Sequence, residues 1–223
     1  MTDQPAPAAD QYSVLIVDDH PIVREGLELL ISQQPDLGVC GHAEDVPQAL
    51  KAFKELTPDV VVVDISLKQG NGLDLIRQLR RSNPEARMLV SSMHDETLYA
   101  ERSLHAGAMG YINKQEAGRK IVEAIRQVLA GRVFLSEAMS ERLMQRMVGG
   151  GAAPHAGVEV LSNRELEVFG LIGSGLTTNE IADRLSLSVK TIETYRQRIK
   201  VKLTLKSSAE LARQASHWVL EQG

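Results

Sequence analysis

The chain is poor in several things. It has one cysteine, Cys40, among 223 residues; aromatic residues make up 4%, with a single tryptophan; and apolar runs are short, none longer than the four residues of Val60–Val63. One cysteine cannot close an internal disulfide, and no Cys/His cluster has zinc-ligand spacing, so neither staple is expected and a reducing cytosol is the expected home. A membrane-spanning helix needs roughly 20 apolar residues, so none is expected. Residues 1–11 lack both the basic start and the apolar run of a secretory signal and are expected to be a frayed tail. Nor does charge of one sign dominate: 25 Lys+Arg face 29 Asp+Glu, for a net −4. That balance argues against a protein that coats nucleic acid by bulk charge, though not against one basic patch. What remains, 43% apolar and 24% charged, is an ordinary globular composition on a chain long enough for two small domains, each with its own core.

Val14-Leu-Ile-Val17 is a β-branched run that ends in Asp18-Asp19, after which Pro21 opens a helical periodicity through Ile22, Leu27, Leu29 and Leu30. The alternation repeats four times: Val39 to Ala43 then Val46 to Leu56, Val60 to Asp64 then Leu73 to Leu79, Met88 to Ser91 then Thr97 to Ala106, and Met109 to Ile112 then Ala117 to Leu129. Runs such as Val60–Val63 fit strands buried on both faces, and strands alternating with helices require crossovers in a parallel sheet. Residues 12–131 are therefore expected to form an α/β doubly wound domain around a five-stranded parallel sheet. A Met-rich helical segment and the stretch Gly149-Gly-Gly-Ala-Ala-Pro-His-Ala-Gly157 follow, so residues 132–157 read as a linker.

Beyond the linker, residues 158–223 contain no strand-like run. Ser162-Asn-Arg-Glu165 and Thr177-Thr-Asn-Glu180 fit capping boxes, Ser188 can cap a helix from Val189, and a fourth segment spans about Ser207 to Leu220, giving a small all-α domain of four helices. This part carries 9 basic and 8 acidic side chains, while the remainder carries 16 and 21. Six of the basic residues lie between Lys190 and Lys206, against one Glu, so the acidic first half masks a basic helix.

In a doubly wound sheet the carboxyl ends of the strands open on one crevice, where ligands bind. Asp18 and Asp19 end the first strand, Asp64 the third, Ser92 follows the fourth and Lys114 the fifth. Clustered carboxylates repel unless a cation joins them, and Mg²⁺ favours carboxylate oxygens, water and phosphate. Exposed loop acids and helix caps are the plainer alternative. A hydroxyl and an ammonium at the same edge favour a phosphoryl-binding site, with Asp64 as the nucleophile forming an acyl phosphate and Lys114 neutralising the transferred group.

These residues, in Val17-Asp-Asp-His-Pro21, at Asp64, at Ser92 and in Gly110-Tyr-Ile-Asn-Lys114, resemble the receiver domain of two-component response regulators, a flavodoxin-like fold. The resemblance implies that a sensor histidine kinase donates a phosphoryl group to Asp64 with Mg²⁺ bound by Asp18, Asp19, Asp64 and the backbone carbonyl of Ser66. It further implies that Ser92 turns toward the phosphate and Tyr111 rotates inward as a switch pair, with Ser66 and His94 close enough to influence phosphate lifetime. Two residues depart from the pattern: Lys68 replaces a usual proline in Leu67-Lys-Gln-Gly-Asn-Gly72, and Ser91 stands where an apolar residue is more usual.

In the second domain, Thr178 to Leu185, with Ile181, Ala182 and Leu185 on one face, then Ser186-Leu-Ser188, then a helix from Val189, have helix-turn-helix spacing. Ile192, Ile199 and Leu203 are expected to face the core, leaving Lys190, Glu193, Thr194, Gln197 and Lys200, with Thr191 beside them, for a major groove. Arg196, Arg198, Lys202 and Lys206 suit phosphates. Gln197 matches adenine, Glu193 matches cytosine N4 and the Thr194 methyl matches thymine. Leu161-Ser-Asn-Arg-Glu-Leu-Glu-Val168, Leu176-Thr-Thr-Asn-Glu-Ile-Ala182 and Leu187-Ser-Val-Lys-Thr-Ile192 resemble the LuxR-type DNA-binding domain, and the pair of domains resembles the NarL/FixJ class. Glu193 departs from the basic or apolar residue often found there. The class implies promoter DNA as partner, a homodimer on phosphorylation and a cytoplasmic, non-membrane regulator rather than a turnover enzyme. A haloacid dehalogenase-type phosphatase would want Asp-x-Asp after the first strand, which this chain lacks; a receiver that never takes phosphate is a third reading. Met139, Met144 and Met147, with Leu143, suit either plain packing or a sticky helix between domains.

Overall fold

The computed structural model describes residues 11–149 and 157–220, without the side chains of residues 146–149 and 159. The expected tail, over residues 1–10, and the Gly-rich tether, over residues 150–156, lie outside the described residues, as does the side chain of Met147. The chain divides into two compact units, residues 1–149 and 150–223.

In the first unit, β1 (Tyr12–Val17), β2 (Leu37–Ala43), β3 (Val60–Val63), β4 (Met88–Ser92) and β5 (Gly110–Asn113) form one parallel sheet in the order β2-β1-β3-β4-β5. The connecting helices are α1 (Pro21–Ser32), α2 (Val46–Leu56), α3 (Gly72–Ser82), α4 (Glu96–Ala106) and α5 (Lys114–Leu129). Alternate strand residues explain the two layers. Val14, Ile16, Val60, Val62, Leu89 and Ile112 join Leu27 and Ile31 of α1 and Ile121, Ile125 and Val128 of α5 in one core cluster. Leu15 and Gly41 face the other way, toward Leu56 of α2, with α2, α3 and α4 packed side by side. On β2 the pairing skips Cys40, because Val14 pairs with Val39 but Leu15 with Gly41. The extra residue lets this edge strand bury Val39 on one face and Gly41 on the other.

Three local expectations differ from the structure. Ile22 and Leu29 of α1 are 78% and 62% exposed, so only part of the apolar periodicity there faces inward: Leu27 and Ile31 are buried in the core and Leu30 packs against it. Helix α5 begins at Lys114 rather than near Ala117, because the Asn113 side chain accepts from the Gln115 amide and caps the helix directly off β5. Phe134 pairs in parallel with Gly110, its carbonyl accepting from the Tyr111 amide at 2.9 Å and its own amide donating to Met109, so the chain adds a short bridge to the edge of β5 before α6 (Glu137–Gly149). Glu96 accepts from the Ser136 amide at 3.0 Å, and Met139 is buried while Met144 is exposed. Helix α6 belongs to the first unit.

The second unit has a 3-10 turn at Val158–Val160, then α7 (Asn163–Gly173), α8 (Thr178–Arg184), α9 (Val189–Lys202) and α10 (Ser208–Leu220). Both capping boxes are complete, Ser162 with Glu165 and Thr177 with Glu180, and Ser188 accepts from the Thr191 amide. Leu166, Phe169, Ile181, Ile192, Ile199, Leu211 and Ala215 form the buried interior, and Leu203 is half-buried. A Cβ at Gly173 would lie 2.3 Å from the Ala215 carbonyl, so only glycine permits so close a crossing of α7 and α10. Among the described residues no helix is long and apolar enough to cross a membrane.

Candidate functional site

The order β2-β1-β3 makes the chain leave β1 and β3 in opposite directions, and ligands bind in the crevice at such a switch point. The Asp64 amide donates to the Val17 carbonyl at 2.8 Å, which sets Asp64 beside Asp18. A Cβ on Gly72 would stand 2.0 Å from the Asp64 carbonyl, so the start of α3 can close on the end of β3 only because residue 72 is glycine.

Asp18, Asp19 and Asp64 lie with ligand oxygens, and a ring nitrogen of His20, all within 4.8 Å of one another. Asp18 is 2% and Asp64 4% exposed. Lys114 Nζ sits 2.6 Å from Asp18 Oδ2 and 2.7 Å from Asp64 Oδ2, bridging two carboxylates that would otherwise repel. The Ile65 amide donates to Asp64 Oδ1 at 2.7 Å. Burial pushes the Asp64 carboxyl up to about 6, with Asp18 adding to the rise and Lys114 opposing it. Burial alone would lower Lys114, yet the facing Asp64 and Asp18 raise it, so it remains an ammonium. Burial and Asp18 also raise Asp19, against His20 and Lys114. Three hard carboxylates, two of them buried, that meet in so small a space fit a divalent cation with oxygen ligands.

Ser92 and Tyr111 are fully buried. Tyr111 Oη donates to the His94 carbonyl at 2.6 Å, and the His94 amide donates to Ser92 Oγ at 3.3 Å. The His94 ring stacks on Tyr99 with centroids 4.5 Å apart and bonds Ser66 Oγ through Nε2 at 3.0 Å. The structure thus ties Ser66, Ser92 and Tyr111 together through the β4–α4 loop, with Tyr111 packed inward. Ser91 Oγ is buried without a hydrogen-bond partner among the described residues.

On α9, Lys190, Glu193, Thr194, Gln197 and Arg198 are exposed, and Thr191, Arg196 and Lys200 are half-buried. The turn before it is tight: Ser186 adopts φ 51°, and the Leu187 amide returns to the Ala182 carbonyl at 2.9 Å. Thr191 bonds the Ser188 cap, and the Thr194 hydroxyl donates to the Lys190 carbonyl, which engages its polar end within the helix. Lys202 Nζ lies 2.6 Å from the buried Glu165 carboxylate, while Lys206, past the helix end, is exposed. Burial would raise Glu165, but Lys202 and the Ser162 cap hold it below the usual carboxylate range. Arg164 forks to Glu167 and the Leu185 carbonyl.

Sequence reasoning missed His20 as a neighbour of the acids, with Nδ1 2.7 Å from Asp19 Oδ1, and missed Arg24, which donates to the Asp18 carbonyl at 2.6 Å. The signal for His20 was its place directly after the acid pair. The Glu165–Lys202 pair spans 37 positions and has no local signal.

Residues 14–126 match the response regulator receiver domain family, and residues 159–215 match the bacterial regulatory proteins of the luxR family. The chain belongs to the NarL/FixJ-type response regulators, which join these two domains. It is 36% identical over 199 residues to the response regulator GacA of Pseudomonas aeruginosa, covering 89% of this chain and 92% of that one. The DNA-binding transcriptional activator DevR/DosR of Mycobacterium tuberculosis is 34% identical over 199 residues, with 89% and 91% covered. Among solved structures, RcsB of Salmonella enterica serovar Typhimurium, bound to promoter rprA with a phosphomimetic BeF3-, superposes with TM-score 0.61 at 27% identity over 92% of this chain and 98% of that one.

Proposed function

We propose that the chain is a transcription regulator in which Asp64 accepts a phosphoryl group from the phosphohistidine of a sensor histidine kinase, and the second unit binds promoter DNA in response. The observation that carries the reading is the bridging of buried Asp64 and Asp18 by Lys114 at the switch point. A carboxylate oxygen of Asp64 attacks phosphorus in line, the bond from phosphorus to the kinase imidazole breaks, and an acyl phosphate forms. With its carboxyl near 6, Asp64 is ionised and nucleophilic at neutral pH. Lys114 holds the negative oxygens of the transferred group, and the Ser92 hydroxyl donates to one of them. Asp18, Asp19, Asp64 and the Ser66 carbonyl would hold Mg²⁺, which when bound supplies charge neutralisation. His94, bonded to Ser66, Ser92 and Tyr111 alike, relays any movement of Ser92 toward the switch tyrosine.

Residues 12–131 serve as the receiver, 132–157 as the connecting segment and 158–223 as the DNA-binding domain. Helix α9 enters the major groove: Lys190, Thr191, Glu193, Thr194, Gln197 and Lys200 meet base edges or the nearest backbone, and Arg196, Arg198 and Lys206 meet phosphates. Lys202, already paired, contributes less. Phosphorylation favours a homodimer on a two-fold site, a reading supported by the solved structure of two RcsB dimers bound to two parallel DNAs. The chemistry proposed is the chain's own phosphorylation and dephosphorylation, and promoter DNA as partner supports a cytoplasmic reading.

The test compares promoter affinity of wild type with and without a small phosphodonor, and of Asp64→Asn. Expected are an acid-labile phosphate on wild type alone and a gain in affinity confined to it. Equal affinity in all three overturns the switch.

A further inference from the structure

Lys68, the residue that departs from the receiver pattern, is joined through an ion pair to the site. Its ammonium contacts Glu44 Oε2. The other oxygen of Glu44 lies 3.0 Å from Arg24 Nη2, and Arg24 Nη1 donates to the Asp18 carbonyl at 2.6 Å. Arg24 is the most buried of the three, its side chain 14% exposed against 32% for Glu44 and 54% for Lys68. Backbone contacts run alongside: the Val46 amide donates to the Gln69 carbonyl at 3.1 Å, and the Asp18 amide donates to the Ala43 carbonyl at 3.0 Å. Lys68 and Arg24 together hold the Glu44 carboxyl below its usual range, as expected for an anion gripped from both sides.

Three loops meet in this line of charges. One carries Asp18 and Asp19, one carries Ser66 two residues past Asp64, and the β2–α2 loop carries Glu44, which pairs with both Arg24 and Lys68. We propose that Arg24, Glu44 and Lys68 form an ionic clasp that fixes the spacing of the two cation-binding loops and thereby sets the affinity for Mg²⁺; they are positioning residues and touch neither the ion nor the phosphoryl group. The inference rests on the Mg²⁺ reading proposed above. A clasped pair of loops has little ordering left to do when the ion arrives, and an unclasped pair must be ordered at the expense of affinity.

Charge sign separates the clasp from a simple field effect. Lys68→Gln removes a positive charge near the site, so a field effect alone leaves Mg²⁺ binding unchanged or tightens it, whereas loss of the clasp weakens it. Isothermal titration of full-length, metal-free protein with MgCl₂ is expected to show binding about 2- to 5-fold weaker in Lys68→Gln, the range of a partly exposed ion pair. Lys68→Arg is expected to restore wild-type affinity. In a Glu44→Gln background the same Lys68→Gln change is expected to weaken binding no further. Unchanged or tighter binding in Lys68→Gln, with wild-type circular dichroism and melting in EDTA, overturns the clasp and leaves the Mg²⁺ reading intact. Failure of wild type to bind Mg²⁺ overturns both.

Discussion

Replacing Asp64 by Asn should make the metal-free protein more stable at neutral pH. The carboxyl is 4% exposed, and its pKa stands at about 6 rather than 3.8, burial being the chief cause. At 1.36 kcal/mol per pH unit, the distance from 3.8 to about 6 corresponds to about 3 kcal/mol by which the ionised group disfavours the folded state at pH 7. The sign follows from proton counting. Between the unfolded and folded values the native state binds more protons, so this group's contribution is fully present below about pH 4 and is lost as pH rises to about 6. Asn mimics the protonated acid but gives up one anionic partner of Lys114, which keeps Asp18 at 2.6 Å. A net gain of about 1–3 kcal/mol at pH 7 is therefore expected, shrinking toward zero near pH 4. The assay is urea denaturation in EDTA followed by far-ultraviolet circular dichroism. Trp218, the one tryptophan, packs on Phe169 in the second unit, so its fluorescence reports that unit separately and should not shift. Asp64→Asn that is destabilised at pH 7, or a gain equally large at pH 4, would refute the electrostatic account of this site.

Other outcomes follow from single contacts. Ser91→Ala removes a buried hydroxyl that has no partner among the described residues and should raise stability by about 1 kcal/mol in the same denaturation assay. Gly72→Ala drives a Cβ to 2.0 Å from the Asp64 carbonyl, so it should cost about 3 kcal/mol or more, and wild-type stability would show that α3 can shift away. Glu165→Ala removes the carboxylate half of the α7 capping box and the partner of Lys202, and should lower the tryptophan-reported transition of the second unit by about 2 kcal/mol, with Glu165→Gln intermediate. Arg198→Ala should weaken binding across DNA sequences and reduce the slope of log affinity against log salt by about 1, measured by fluorescence anisotropy.

Much of the site was legible because sheet topology leaves few choices. Once Val14–Val17 and Val60–Val63 are strands, Asp18 and Asp64 must come out at the same edge, and the capping boxes at Ser162 and Thr177 place α7 and α8 almost to the residue. What escaped was either non-local or contrary to simple periodicity. Arg24, Glu44 and Lys68 are up to 44 positions apart and meet only after folding. Ile22 and Leu29 share the helical period of α1, yet both face solvent, and the helix meets the core through Leu27 and Ile31 with Val23 and Leu30 packed beside them. The first turn of α5, Lys114-Gln-Glu-Ala117, is too polar to announce a helix, and Phe134 makes too brief a bridge to be seen as a strand.

That bridge has a practical consequence for taking the protein apart. A receiver shortened to residue 131, the boundary that alternating strands and helices suggest, would lose the Phe134 carbonyl that takes the Tyr111 amide and the Ser136 amide that Glu96 holds. It would bare the flank of β5, a row of backbone groups ready to pair with a neighbouring molecule. The self-association and altered switching of such a fragment would then be properties of the cut, whereas a fragment that ends after α6 would keep the strand that bears Tyr111 covered.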